Sequence, residues 1–173
     1  MTYAIAVEFD IESTEKIRQK IIKIVQSNIN PYMLNNRISP HLTISLFEIG
    51  DEILLNKRLE DICLKVSKER IQISGVGMFE PKVVYYEPIM SDFLIGLNKV
   101  ITSMLVESGI KPDQYYLPGK WVPHIALGVQ LTLDELIKAI DIIKKDFQPF
   151  DVVIEKIVLA RCNPYKEIVQ YTI

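Results

Sequence analysis

The sequence holds only two cysteines, two histidines and one tryptophan in 173 residues. Cys63 and Cys162 stand far apart in the chain, too few and too distant for a disulfide framework or a thiolate zinc site. Cys63 falls on a helix-like apolar stripe and reads as a small core residue. No charge of one sign dominates. Twenty Lys and Arg face 22 Asp and Glu, a net charge of −2. This excludes a general polycation that coats a nucleic-acid backbone, so a phosphate-bearing ligand must be held by a local patch, which favours a small or end-bound substrate over long duplex. No apolar run is long enough to span a bilayer. The opening Thr2–Val7 is apolar but short, lacks basic flanks and meets acid at Glu8 and Asp10, unlike a secretory signal. A cytoplasmic protein is expected. Apolar residues at 49% and charged residues at 24% suit an ordinary globular chain, and the length suits one domain or two small lobes.

Both histidines sit in the same local setting. Ser39-Pro40-His41-Leu42-Thr43-Ile44-Ser45-Leu46-Phe47 and Trp121-Val122-Pro123-His124-Ile125-Ala126-Leu127-Gly128-Val129 each run Pro-His into an alternating segment. Read as strands, they place Leu42, Ile44 and Leu46, and Ile125, Leu127 and Val129, toward a core. His41, Thr43, Ser45 and Phe47, and His124, Ala126 and Gly128, then face a cleft or solvent. Phe47, far along its strand, reads as an end-packing residue.

The remaining pattern is written twice. A strand at 3–9 leads into a helix with Ile17, Ile21 and Ile24 on one face, closed by Asn28–Pro31. A loop at 31–40 reaches the first histidine strand. Gly50-Asp51 turns into a second helix with Leu55, Leu59 and Ile62 in register, and a strand at 71–79 follows, interrupted by Gly75 and Gly77. Those glycines, with Gly128, read either as bulges or as places where something approaches the backbone closely. The second round has a strand at 83–87 and a helix from Ser91 or Asp92 to a stop at Gly109. A loop at 110–121 and the second histidine strand come next. A Thr132–Glu135 capping box opens the next helix, and strands follow at 152–160 and 167–173. The histidines lie 83 residues apart, at 41 and 124. The expected fold is α+β and bilobal: two mixed or antiparallel sheets with outer helices, pseudo-symmetric lobes at 3–80 and 81–173 within one domain, and a central cleft.

Two imidazoles facing one cleft can act as general base and general acid, since one is neutral and the other charged near neutral pH. This suits a phosphodiester: one histidine takes a proton from the attacking oxygen and the other protonates the leaving oxygen. A hydroxyl two residues on, at Thr43, is placed to donate to a phosphate oxygen, and Ala126 at the matching position is not. No carboxylate stands at a ligand-like spacing from either histidine, so no metal is expected.

Pro-His-Leu-Thr and Pro-His-Ile-Ala, each heading a strand half a chain apart, resemble the two His-x-Thr/Ser motifs of the two-histidine phosphoesterase superfamily. Trp121–Gly128 is similar to the second motif of its 2′-5′ RNA ligase-like members. The resemblance implies a bilobal fold without metal or cofactor, and reaction at 2′-5′ linkages or 2′,3′-cyclic phosphates of RNA ends or small nucleotides. Carried onto this chain, His41 and His124 become the acid–base pair and Thr43 a phosphate binder. Ala126 departs from the pattern and removes one donor. An alternative is therefore a catalytically weakened RNA- or nucleotide-binding module, and a third reading is an esterase for a non-RNA phosphoester. Around the motifs, Trp121 is a candidate to stack a base and Lys120 to meet a phosphate. Tyr115 or Tyr116 is a candidate groove wall, and Arg161 and Arg37 are candidate phosphate clamps. Each also has a plain reading as packing or solvated surface. A monomer is expected.

Overall fold

The two rounds of the sequence keep step as structure. The first runs β1 (Thr2–Phe9), α1 (Ile11–Gln26), α2 (Tyr32–Asn35), β2 (His41–Glu48), α3 (Ile53–Cys63) and β3 (Glu69–Phe79). The second runs β4 (Val83–Pro88), α4 (Asp92–Glu107), β5 (Ile125–Gly128), α5 (Leu133–Lys144) and β6 (Phe150–Arg161), and β7 (Lys166–Thr172) closes the chain. The structure is a computed structural model describing residues 1–49, 53–80 and 82–173; the turn expected at Gly50-Asp51 lies outside them. The one-turn α2 interrupts the loop read at 31–40, and a 3₁₀ turn at Gln114–Tyr116 interrupts the one read at 110–121.

Local chemistry explains where the helices start and stop. α1 and α4 are both 16 residues long and begin at 11 and 92. Asp10 and Ser91 cap them by accepting the backbone N–H of Ser13 and Leu94, groups that would otherwise lack a partner. The Thr132–Glu135 capping box forms at α5. Gly109, at φ 73°, ends α4, and the next amide, Ile110, donates back to the Leu105 carbonyl.

All the strand pairs are antiparallel, in the order β2-β1-β6-β3-β4-β5, with β7 also on β6. The order is the same from either end once the repeat is applied, β2-β1-β6 answering β5-β4-β3. The last strand of each round is thus exchanged: β3 pairs with β4 through a short hairpin, and β6 crosses to β1. Pairing of Glu69–Ile73 with Phe150–Ile154 joins the two halves, expected as separate sheets, into one ladder. Strand pairing therefore divides the residues differently from a cut at 80.

On β1, Ile5, Val7 and Phe9 enter one core with Ile17, Ile21 and Ile24 of α1 and Leu94, Ile101 and Leu105 of α4. The opposite face carries Ala4, Ala6 and Glu8, the small and polar floor of a groove. β2 and β5, at the two ends of the order, also approach each other, so the sheet curls around that groove.

Strict alternation along β2 does not hold. A bulge at Ile5/Ala6 sets Ala6 opposite Thr43 and Ile5 opposite Ser45. Two residues then oppose one, and the side-chain phase flips. Beyond it, Ser45 and Phe47 are buried, with Phe47 stacked on Tyr3 at 6.3 Å between centroids. Leu46 takes the groove side that Ser45 was expected to hold.

Candidate active site

His41 opens β2 and His124 stands immediately before β5. Each makes the same hydrogen bond two residues back along the chain. His41 Nδ1 lies 2.8 Å from the Ser39 carbonyl oxygen, and His124 Nδ1 lies 2.9 Å from that of Val122. A carbonyl only accepts, so each Nδ1 carries the hydrogen and each Nε2 is left as the exchangeable position. The buried prolines Pro40 and Pro123 between the paired residues fix the turn that makes this bond. Burial lowers both imidazoles below the ordinary histidine value, and the positive charge of His41 lowers His124 further.

A cavity of about 190 Å³ opens beside His41 and Thr43. Its floor is Ala4, Ala6, Val158 and Ala160, and Tyr116 and Tyr165 stand around it. Glu8 lies directly across the ladder from His41. Burial, and then the charge of Glu167, holds the Glu8 carboxyl above its usual range, against the opposing pull of Lys156.

The second histidine has aromatic neighbours instead. The Phe79 ring meets His124 edge-on at 4.9 Å, Tyr85 lies at 5.4 Å, and Phe79 and Tyr85 are 4.5 Å apart. Tyr85 crosses Gly77, where an added Cβ would fall 2.4 Å from the ring. Of the two glycine readings, close approach applies here, and what approaches is the protein's own tyrosine.

Several residues singled out in the sequence stand elsewhere. Trp121 is only 6% exposed, and its Nε1 donates to the Thr43 carbonyl at 3.0 Å. It is a core residue that ties the second motif to β2, not a platform for a base. Arg161 pairs with Tyr3, whose side chain is in the core, while Val158, Ala160 and Cys162 face the groove. Strand alternation therefore turns Arg161 away, and its Nε donates to the Pro164 carbonyl. Tyr115 is 70% exposed, and it is Tyr116 that lines the cavity. Lys120 and Arg37 are exposed and do not line that cavity. Thr43 lines it, and Ala126 is half-buried on β5 beside Tyr85. Among the described residues no three His, Cys, Asp or Glu side chains form a group able to hold a metal ion.

Sequence reasoning missed Glu8, Phe79, Tyr85 and Tyr165. Glu8 lies one residue before the end of the strand read at 3–9, and its place beside His41 comes from the pairing of β1 with β2. Phe79 and Tyr85 were not legible, because their approach to His124 depends on pairing between β3, β4 and β5.

The fold and this paired-histidine site define a class. A family model for the 2′-5′ RNA ligase superfamily matches residues 12–164, and the chain belongs to that superfamily. Among solved structures, E. coli LigT complexed with 3′-AMP is similar at a TM-score of 0.63 and 15% identity, over 99% of this chain and 97% of that one. The protein TT0787 of Thermus thermophilus is similar at 0.63 and 16% identity, again over 99% and 97%. At these identities the likeness establishes the fold. No curated protein matches the chain.

Proposed function

We propose that the protein is a metal-independent phosphoesterase acting on 2′-5′ linkages or 2′,3′-cyclic phosphates of RNA ends or small nucleotides. The observation that supports this most is the matched pair of Nδ1–carbonyl bonds, which leaves two Nε2 atoms free to trade protons at one phosphate. In hydrolysis of a cyclic phosphate, one Nε2 takes a proton from water as its oxygen bonds to phosphorus. The other Nε2 gives a proton to the ribose oxygen as its bond to phosphorus breaks. Thr43 holds a non-bridging oxygen. The same steps with a ribose hydroxyl in place of water join that hydroxyl to the phosphate of the opened ring. The nucleotide complex of E. coli LigT is consistent with a small nucleotide ligand.

The absence of a hydroxyl at Ala126 favours a second reading, a groove that binds nucleotides with blunted chemistry. Turnover of a 2′,3′-cyclic nucleotide in the presence of chelator separates the two. The proposal expects native turnover that His41→Ala and His124→Ala each abolish. Binding without turnover, unchanged by either substitution, sinks it.

A further inference from the structure

The two halves of the groove differ in a reciprocal way. In the first half, Thr43 pairs with Ala6, and Ala6 pairs with Val158. In the second, Ala126 pairs with Tyr85, and Tyr85 pairs with Gly77. The edge strand loses a hydroxyl, from Thr to Ala. The middle strand gains one, from Ala to Tyr. The third strand loses its side chain, from Val to Gly, and the Tyr85 ring occupies the space so vacated. From the proposed function above and this exchange, we infer that the Tyr85 hydroxyl is the phosphate-facing donor of the second half, in place of the hydroxyl absent at Ala126.

The placement supports this in three ways. Residues directly opposite on antiparallel strands have Cβ atoms about 5 Å apart, so Tyr85 and Ala126 start from the same stretch of groove, and the Tyr85 ring extends from there over Gly77 with its hydroxyl. The ring also packs against His124, with centroids 5.4 Å apart, so its position is tied to that of the imidazole. Finally, Phe79 at 4.5 Å and the backbone at Gly77 hold the ring on its other sides. A packed phenol ring with its hydroxyl open to solvent is preorganised for a ligand oxygen. Burial, and then the charge of Glu87, raises the phenol above its ordinary value, so it keeps its proton and remains a donor at neutral pH.

Tyr85→Phe keeps every ring contact and removes only the hydroxyl. The expected result is a fall in kcat for a 2′,3′-cyclic nucleotide on the order of 10²–10³-fold, the usual cost of one oxyanion donor. Adding Ala126→Thr to that variant is expected to restore at least about tenfold. Native-like kcat in Tyr85→Phe overturns the inference, and so does a large gain from Ala126→Thr alone. If the native protein has no turnover, the acid–base reading has failed and titration with inorganic phosphate tests Tyr85 separately. Weaker phosphate binding in Tyr85→Phe then supports the donor assignment, and equal binding overturns it.

Discussion

The indole of Trp121 donates to the backbone carbonyl of Thr43 across 3.0 Å. The acceptor is the free-edge carbonyl of the strand that begins with His41, and the donor lies three residues before His124. One hydrogen bond therefore links the segments that carry the two histidines. Asn98 does similar work at the next residue, donating to the carbonyls of Ile44 and Tyr116 at 3.1 and 2.9 Å. The Asp113 amide donates to the Leu46 carbonyl at 2.7 Å. The open edge of β2 is thus closed by elements of the other half.

Trp121→Phe keeps an aromatic ring in the core but strands the Thr43 carbonyl. A buried acceptor left unpaired costs about 1–3 kcal/mol. The expected outcome is a lower denaturant midpoint at unchanged m-value, with a loss of turnover beyond what the smaller folded fraction explains. Nucleotide affinity is expected to change little, since the indole lies in the core. A large loss of affinity with stability intact would instead assign Trp121 to the ligand.

Lowered imidazoles set the direction of the pH response. Below the ordinary histidine value of 6.5, the unfolded chain takes up protons that the buried His41 and His124 resist. Stability therefore falls as pH drops from about 6.5 through the folded-state values. Glu8, shifted upward, acts the other way at lower pH. Comparing native protein with His41→Gln and His124→Gln by urea unfolding isolates the histidines, and each variant should show a shallower loss on acidification. The proposed mechanism needs one neutral and one charged ring, so it predicts a kcat/KM profile that is a bell centred below 6.5. A maximum well above 6.5 would contradict burial as the dominant influence.

Much of this arrangement was legible in the sequence, and the rest follows one physical rule. Pro-His repeated at 41 and 124, Asp10, Ser91 and Thr132 at helix starts, and Gly109 at a helix end act locally, so residue order reveals them. Misread residues depend on contacts that order does not encode. The β2 bulge sends Leu46 into the groove and Phe47 into the core because β1 pairs out of step, not because of anything within β2. Arg161 faces away because its strand crosses to β1 and takes its parity there. Tyr116, not Tyr115, lines the cavity because a 3₁₀ turn rotates the pair. Trp121 before a motif looks the same in sequence whether it stacks on a base or fills a core.

Asn98 carries a further expectation. It is 2% exposed on α4, and its amide satisfies two carbonyls at once. Asn98→Leu fills the space but leaves both acceptors without a partner, at about 1–3 kcal/mol each. Thermal unfolding should shift down by several degrees. Because Tyr116 is one of those two residues, its place beside the His41 cavity should loosen too, raising KM more than it lowers kcat. A stability loss with KM unchanged would show that the Tyr116 segment is held by other contacts.

The glycines under the second histidine differ in what they tolerate. At Gly75 the nearest atom to an added Cβ is the Glu87 Oε2, 3.1 Å away, at the free end of a flexible side chain. At Gly77 two ring atoms and the hydroxyl oxygen of Tyr85 lie within 2.6 Å of an added Cβ, and that ring is backed by Phe79 and His124. Gly75→Ala should therefore be close to neutral. Gly77→Ala must push the ring into its aromatic neighbours, at about 1–3 kcal/mol for an overpacked site, and shift His124 with it. The penalty should vanish when Gly77→Ala is placed in a Tyr85→Ala background, a coupling that a double-mutant cycle of denaturation midpoints measures directly. Additive effects would mean that the ring does not need the space above Gly77, and that His124 is held by its Nδ1 bond to Val122 alone.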